Sequence, residues 1–144
     1  MQSDLIEILE YNGEGYRPLV DFGTWRVAFL RFIDELIPEN IHRLERHVET
    51  DEVFVLLEGK AILFLGEGEK EIKALHNIVM QPGKCFNVRK NAWHGCVLSR
   101  DATILLVENR DTGTENSDYI NLDAAQRAYI VSVSGLHIKE WENQ

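Results

Sequence analysis

The stretch LERHVETDEVFVLLEG, residues 44–59, places charged side chains directly beside an apolar run. Glu45, His47 and Glu52 precede residues 53–57, whose β-branched and aromatic side chains favour a strand. An ionised group is costly to bury unless it is paired or bound to a metal ion. These three side chains therefore either face water or share a compensating charge inside the fold.

The chain around this stretch consists of short apolar runs separated by turn-forming residues, which is typical of an all-β sandwich or barrel. Glu58-Gly59 favours a tight hairpin, and the runs on either side of it are apolar at consecutive positions. We therefore expect this hairpin to lie between two layers, which implies closure of the sheet. The predicted strands are 25–32, 41–48, 53–57, 61–65, 71–75, 78–80, 84–88, 93–98 and 103–108, with His76-Asn77 predicted as a turn.

The length of 144 residues fits a single domain, 1–144, with a barrel core at about 25–109 and a C-terminal extension at 110–144. Asp123 is a candidate N-cap for a short helix over 124–130. The alternation of residues 129–133 also fits a strand, although we favour the helix.

The charge balance of 24 acidic to 15 basic residues, formally −9, repels nucleic acid and anionic lipid. The acidic N-terminus lacks the features of a secretory signal, and no apolar stretch approaches membrane-spanning length. We therefore expect a cytoplasmic protein with no nucleic-acid or membrane partner. Cys85 and Cys96 are then expected to be reduced thiols that pack as small buried side chains.

A candidate metal site emerges from the alternation of side chains along strands. Glu45 and His47 share one face of their strand, and a turn returns the chain so that Glu52 lies alongside His47. His94 opens the strand over 93–98. Two imidazoles and two carboxylates suit Mn, Fe, Ni, Co or Zn, although by spacing alone these residues also fit solvated strand ends.

Four further side chains are candidates for contact with a small-molecule ligand. Arg43 shares the face of Glu45, where its guanidinium either binds a carboxylate or phosphate or, as we favour, pairs with a glutamate. Cys96 shares a strand face with His94. Trp25 and Phe86 either line a pocket or pack in the core, and aromatic residues on strands more often pack.

These residues resemble the two motifs of the cupin superfamily. In the first motif, G-x5-H-x-H-x(3,4)-E-x6-G, His47, Glu52 and Gly59 match. In the second motif, G-x5-P-x-G-x2-H-x3-N, Gly83 and His94 match. The resemblance implies a double-stranded β-helix, or jelly-roll, barrel, a divalent metal ion held inside it, and a homodimer.

The chain departs from the first motif at Glu45, where the family has a histidine, and at Glu39. It departs from the second at Arg89, Asn91 and Leu98, although asparagine accepts the left-handed backbone that the motif's glycine supplies. A carboxylate at position 45 still ligates, and it shifts the preference toward harder ions such as Mn or Fe. Without a cation, neighbouring carboxylates repel each other and one tends to take up a proton.

Three hypotheses for function remain open from sequence. The first is a metal-dependent enzyme (an oxygenase, an isomerase or epimerase, or a lyase) that acts on a sugar or small organic acid. The second is a non-catalytic module that binds or senses a small ligand. The third is a barrel whose interior is only structural because Glu45 marks a lost metal site.

Overall fold

Two five-stranded antiparallel sheets build the fold in this computed structural model, which describes residues 4–143. The strands and the helix that follows them are β1 Gly15–Phe22, β2 Trp25–Arg31, β3 Arg43–His47, β4 Glu52–Glu58, β5 Ala61–Glu67, β6 Ala74–Val79, β7 Phe86–Val88, β8 Trp93–Leu98, β9 Thr103–Asn109, β10 Ser117–Asn121 and α1 Ala124–Glu142.

The strand order is β1-β2-β9-β4-β7 in the first sheet and β10-β3-β8-β5-β6 in the second. Consecutive strands alternate between the sheets over much of the chain, so that β3 and β4, or β7 and β8, lie in different sheets. This arrangement is the predicted all-β jelly-roll barrel, and that prediction is confirmed. The described residues contain no helix with the length and hydropathy needed to cross a bilayer.

Strand β5 lies between two hydrophobic clusters, as the double-sided apolar pattern predicted. Ala61 and Leu63 pack into the barrel interior with residues of the first sheet. Ile62 and Phe64 face the other way and belong to a second cluster that includes Ile130 of α1. The helix therefore covers the outer face of the second sheet.

The sequence-based strand assignment needs two corrections. His76 and Asn77 lie within β6, not in a turn, because they pair with Leu65 and Phe64 of β5 and the ladder overrides their turn preference. Strands β1 and β10 were not predicted. Pro18 interrupts the pattern in β1, and it is tolerated at a register shift in this edge strand.

Helix α1 is longer than the predicted segment 124–130, and the alternative strand over 129–133 is wrong. Asp123 is the N-cap, as expected, and its carboxylate accepts a hydrogen bond from the backbone of Gln126. Ile130 and Ser134 are the buried helical residues. Their spacing of four residues places both on the face that contacts the sheet.

Asn91 is the only non-glycine residue with positive φ in the described part of the chain. Its φ of 70° confirms the expectation that asparagine replaces the glycine of the motif in a left-handed conformation. Asn91 therefore supplies the left-handed residue in the turn before His94.

The turn between β4 and β5 requires glycine at position 59. The φ of Gly59 is +73°, and a Cβ there would lie 2.6 Å from the Cα of Ala102. We expect Gly59→Ala to lower the free energy of unfolding by about 2–5 kcal/mol, measured in urea, since backbone strain and overpacking add. Gly23→Ala is the control, because φ is +56° there but no atom lies within 4 Å of the added Cβ. Equal losses in the two variants would contradict the steric argument.

Candidate metal centre

Four side chains from both sheets converge inside the barrel: Glu45 and His47 from β3, Glu52 from β4 and His94 from β8. One ligand atom from each lies within 4.8 Å of the others. Glu45 pairs directly with His94 in the ladder of the second sheet. His47 and Glu52 were expected to meet along neighbouring strands, but their strands belong to different sheets. They meet across the interior instead.

Glu52 is at the centre of the group. Its Oε1 lies 3.1 Å from Nε2 of His47 and 3.1 Å from Nε2 of His94. Oε1 of Glu45 lies 3.9 Å and 3.8 Å from the same two nitrogens. The side chain of Glu45 is 42% exposed, whereas that of Glu52 is 6% exposed. Glu45 is therefore the ligand candidate that water reaches.

The hydrogen bonds of His94 determine which of its nitrogens faces the group. Nδ1 lies 3.0 Å from the carbonyl oxygen of Ala92, which only accepts, so Nδ1 carries the proton. In the neutral ring, Nε2 then presents a lone pair to the Glu52 carboxylate, which also only accepts. Two acceptors at this distance require a cation between them, either a proton or a metal ion.

His47 is held by a partner on its other side. Its Nδ1 lies 2.8 Å from Oγ of Ser117, the residue opposite it in the β3–β10 ladder. Such an outer hydrogen bond fixes the ring orientation of a metal-ligating histidine. The His47 and His94 rings lie 5.2 Å apart between centroids at 62°, so both Nε2 atoms are aimed at Glu52 from different directions.

Glu108 and Tyr16 also belong to the site, although sequence reasoning missed them. Glu108 is buried at the end of β9, with Oε2 4.0 Å from Nε2 of His47. The Tyr16 hydroxyl donates a 2.6 Å hydrogen bond to Oε1 of Glu108. Glu108 shares the inward face of β9 with Ile104 and Leu106, and this alternation was the available signal.

The buried charges shift one another's pKa values. Burial raises the pKa of Glu52, but hydrogen bonds with His47 and His94 outweigh it and lower the pKa to about 2. Burial lowers the pKa of both imidazoles, yet the Glu52 carboxylate more than compensates and raises it above 6.5. For Glu108, burial and then the charge of Glu52 raise the pKa to about 7.

These shifts predict the pH dependence of the metal-free protein. The imidazoles stabilise the fold below their unfolded pKa of 6.5, and this contribution is lost as the pH rises through their raised folded values. Glu108 acts in the same direction. Between pH 4.5 and about 7 its carboxyl group is ionised in the unfolded chain but still protonated in the fold, so stability falls as the pH rises through this range. Glu52 stabilises above 4.5 and loses this contribution only as the pH falls toward about 2.

We therefore expect the metal-free protein to be most stable near pH 4.5 and to lose stability as the pH rises, first through Glu108 and then through the imidazoles. Thermal melting in the presence of a chelator, from about pH 4.5 upward, measures the effect. His76→Ala is the control, since His76 pairs with Glu67 on the surface and lies outside the buried group. An increase of the melting temperature as the pH is raised beyond 7 would contradict the prediction.

A cavity of about 600 Å³ adjoins the four-residue group. The four candidate ligands line its inner part together with two apolar residues, Phe54 and Leu106. Its rim consists of exposed residues such as Arg43. Of the four predicted ligand contacts, Arg43 and Cys96 line the cavity, whereas Trp25 and Phe86 lie outside its lining. Trp25 is partly exposed beside another aromatic ring, and Phe86 packs against the interior cluster.

The two cysteines have different environments. Cys96 is buried, as expected, and burial followed by the nearby Glu52 and Glu45 charges raises the pKa of its thiol far above the usual range. The thiol is therefore neutral and contributes to the cavity wall. Cys85 is exposed, so its prediction as a buried side chain is wrong. It directly precedes the short strand β7, where the chain runs along the surface.

Arg43 does not form the glutamate ion pair that we favoured from sequence. Its guanidinium carbon lies 4.1 Å from the ring centroid of Tyr119, on the neighbouring strand β10. Within residues 4–143, no carboxylate lies within ion-pair distance of it. A cation–π contact therefore holds Arg43 at the rim of the cavity.

Comparison of this barrel with solved structures identifies its fold. A cupin-2 domain-containing protein from Shewanella frigidimarina superposes with a TM-score of 0.52 at 18% identity, over 69% of this chain and 85% of that chain. The chain has the cupin fold. Pac13, described as a nucleoside dehydratase, superposes with a TM-score of 0.54 at 10% identity, over 79% of this chain and 85% of its own. A variant of Streptomyces Pac13 with uridine gives 0.54 at 11% identity, over 79% and 84%.

No family model and no curated protein sequence matches this chain. Its resemblance to the family thus consists of the barrel and of the few motif residues identified above. The candidate metal group of this chain comprises the two imidazoles and two carboxylates that the motif comparison predicted. The donor set fits a divalent transition metal, because nitrogen and oxygen ligands suit such ions and the buried carboxylate needs a cation.

Proposed function

We propose that this cupin binds one divalent transition metal ion through His47, Glu52, His94 and Glu45 and holds a small sugar or organic acid beside it. The observation that supports this proposal is the approach of two hydrogen-bond acceptors, His94 Nε2 and Glu52 Oε1, to 3.1 Å inside the barrel. A metal ion in this position would compensate the carboxylate and use both imidazole lone pairs. The adjoining cavity has the volume of a small-molecule site.

The residues around the metal group favour an enzyme over a protein that only binds the ligand. When bound, the ion supplies a Lewis acid that polarises an oxygen of the ligand. Glu108 lines the same cavity beside the candidate ligands, and the Tyr16 hydroxyl donates a hydrogen bond to it. A buried carboxyl group in this position serves as a proton donor or acceptor. Isomerisation, epimerisation and elimination, which move a proton, therefore suit the site better than a reaction with no proton transfer.

Uridine bound to the Streptomyces neighbour supports the small-ligand part of this proposal, because that protein has the same fold. The reaction of that neighbour does not transfer at this level of sequence identity. The substrate of this cupin must therefore be inferred from its own cavity.

A structural barrel with a lost metal site is the second candidate. It is favoured by the hydrogen bonds within the group, since Ser134 has the only buried side-chain oxygen or nitrogen without a partner in the described residues. The interior is thus satisfied when protons replace the metal ion. Such a protein would fold normally and bind no metal.

Elemental analysis of protein purified without an affinity tag or chelator separates the two candidates. We expect about one equivalent of a transition metal ion per chain, either as purified or after reconstitution with Mn, Fe, Co, Ni or Zn. Failure to retain any of these ions after reconstitution would favour the structural barrel. Thermal stabilisation by the retained ion, measured in parallel, distinguishes a specific site from surface adsorption.

A further inference from the structure

We propose that the ligand carries an oxyanion, a carboxylate or a phosphate, which Arg43 binds at the cavity rim while an uncharged oxygen faces the metal centre. This inference rests on the proposed function, because it assigns the ligand of that same cavity. It defines the ligand class as short polyhydroxylated acids or phosphate esters. It also assigns the direction in which such a ligand lies.

The first supporting observation is that Arg43 keeps its hydrogen-bond donors free. Among the described residues that line the cavity, it is the only arginine or lysine. Tyr119 restrains its guanidinium through the ring face, which uses none of the N–H groups. Arg46, on the opposite face of the same strand, differs because its N–H groups bind Asp118 and Glu69.

The second observation is the distribution of charge along the cavity. Its buried end contains the carboxylates of Glu52 and Glu108, with Glu45 beside them, whereas its exposed lining contains one carboxylate, that of Glu35, and the Arg43 guanidinium. Two carboxylates already neutralise a divalent ion, so an anionic group gains little at the buried end and is repelled by any further negative charge. The same group gains a charge-assisted, two-donor contact at Arg43. The field therefore orients an anionic ligand with its charge outward.

The third observation is the short path between the two ends. Arg43 and Glu45 lie two residues apart on one face of β3, which separates their Cα atoms by about 6.6 Å. Phe54 and Leu106 add apolar lining at the buried end. A ligand with a few carbon atoms between its anion and its hydroxyl groups spans this distance.

The test uses Mn²⁺-loaded protein and pairs of probes of which one carries the anionic group and the other is its neutral counterpart. The pairs are glycerate and glyceramide, threonate and threonamide, gluconate and gluconamide, and glycerol phosphate and glycerol. Calorimetry measures each affinity for the wild type, for Arg43→Gln and for Arg17→Gln. Arg17 is the matched control, because it stacks on Tyr11 and lies outside the cavity lining.

We expect at least one anionic probe to bind the wild type about ten- to a hundredfold more tightly than its neutral partner. Arg43→Gln should remove this preference, whereas Arg17→Gln should keep it. A preference among the sugar acids indicates a carboxylate ligand, and a preference for glycerol phosphate indicates a phosphate ester. If no anionic probe binds more tightly than its neutral partner, or if Arg43→Gln keeps the preference for the anion, the inference is overturned.

Relaxation of the ligand protons by Mn²⁺ tests the orientation independently of any reaction. Protons at the hydroxyl end should relax faster than protons beside the carboxylate or phosphate, and the opposite order would contradict the proposed direction. Metal content is measured on the same samples. Arg43→Gln should retain about one equivalent of metal ion. Loss of anion binding in a variant that retains the metal then shows that Arg43 binds the ligand. Failure of the wild type to retain metal instead overturns the proposed function itself.

Discussion

Replacing His94 with alanine is expected to lower the affinity for a divalent metal ion by more than about 100-fold. Loss of an outer hydrogen-bond partner alone costs about 10- to 100-fold, and His94 is a direct ligand candidate. Its side chain is 3% exposed, and the Ala92 carbonyl oxygen fixes the orientation of its ring. Bulk water therefore does not replace its Nε2 as a ligand. His47→Ala should have an equally large effect, because its Nε2 lies at the same distance from Glu52.

Competition with a chromophoric chelator measures both affinities, and circular dichroism verifies that the variants remain folded. His76→Ala is the matched control, since its Nε2 also lies close to a carboxylate, 2.8 Å from Glu67, but on the surface. It should bind metal as the wild type does. Full metal retention by either His94→Ala or His47→Ala would exclude the proposed ligand set.

Replacing Glu52 with glutamine is expected to change metal binding and stability in opposite directions. The amide keeps the shape of the side chain but is a poor ligand, so metal affinity should fall by more than about 100-fold. Above the raised pKa of the imidazoles, the metal-free wild type buries a carboxylate against neutral rings. The neutral amide removes this cost and donates to an imidazole lone pair, so metal-free Glu52→Gln should be about 1–3 kcal/mol more stable there.

Urea unfolding at a series of pH values above 6.5, with and without metal ion, measures both effects of Glu52→Gln, and the gain in metal-free stability should grow as the pH rises. Metal should raise the free energy of unfolding of the wild type and leave that of the variant unchanged. Glu58→Gln, at the exposed end of the same strand, is the control and should change neither quantity. A Glu52→Gln protein that is less stable than the wild type in the metal-free state would show that the carboxylate stabilises the fold by itself.

The sequence predicted the barrel and the four candidate ligands because both depend on local pattern. Turn residues at short intervals indicated the strands, and the motif spacing singled out His47, Glu52 and His94. The spatial meeting of His47 with Glu52 was expected for the wrong reason, since it depends on how the chain crosses between sheets. Strand order is a long-range property that local spacing does not encode.

The residues that sequence reasoning missed depend on contacts between distant segments. Glu108 could have been suggested by the alternation of β9, but its proximity to His47 follows only from the fold. Tyr16 gave no signal, because β1 was not predicted and its hydroxyl partner lies 92 residues away. Ser117 gave no signal either, because β10 was not predicted, although it pairs with His47 in that strand.

The candidate ligands are attached to both halves of the barrel, with Glu52 on the first sheet and the other three on the second. A bound ion would therefore act as a cross-link between the sheets. Local opening that separates the two sheets must break this link, so a bound ion would oppose that opening. The ion would then act together with the packing of α1 against the outer face, because both hold the second sheet in place.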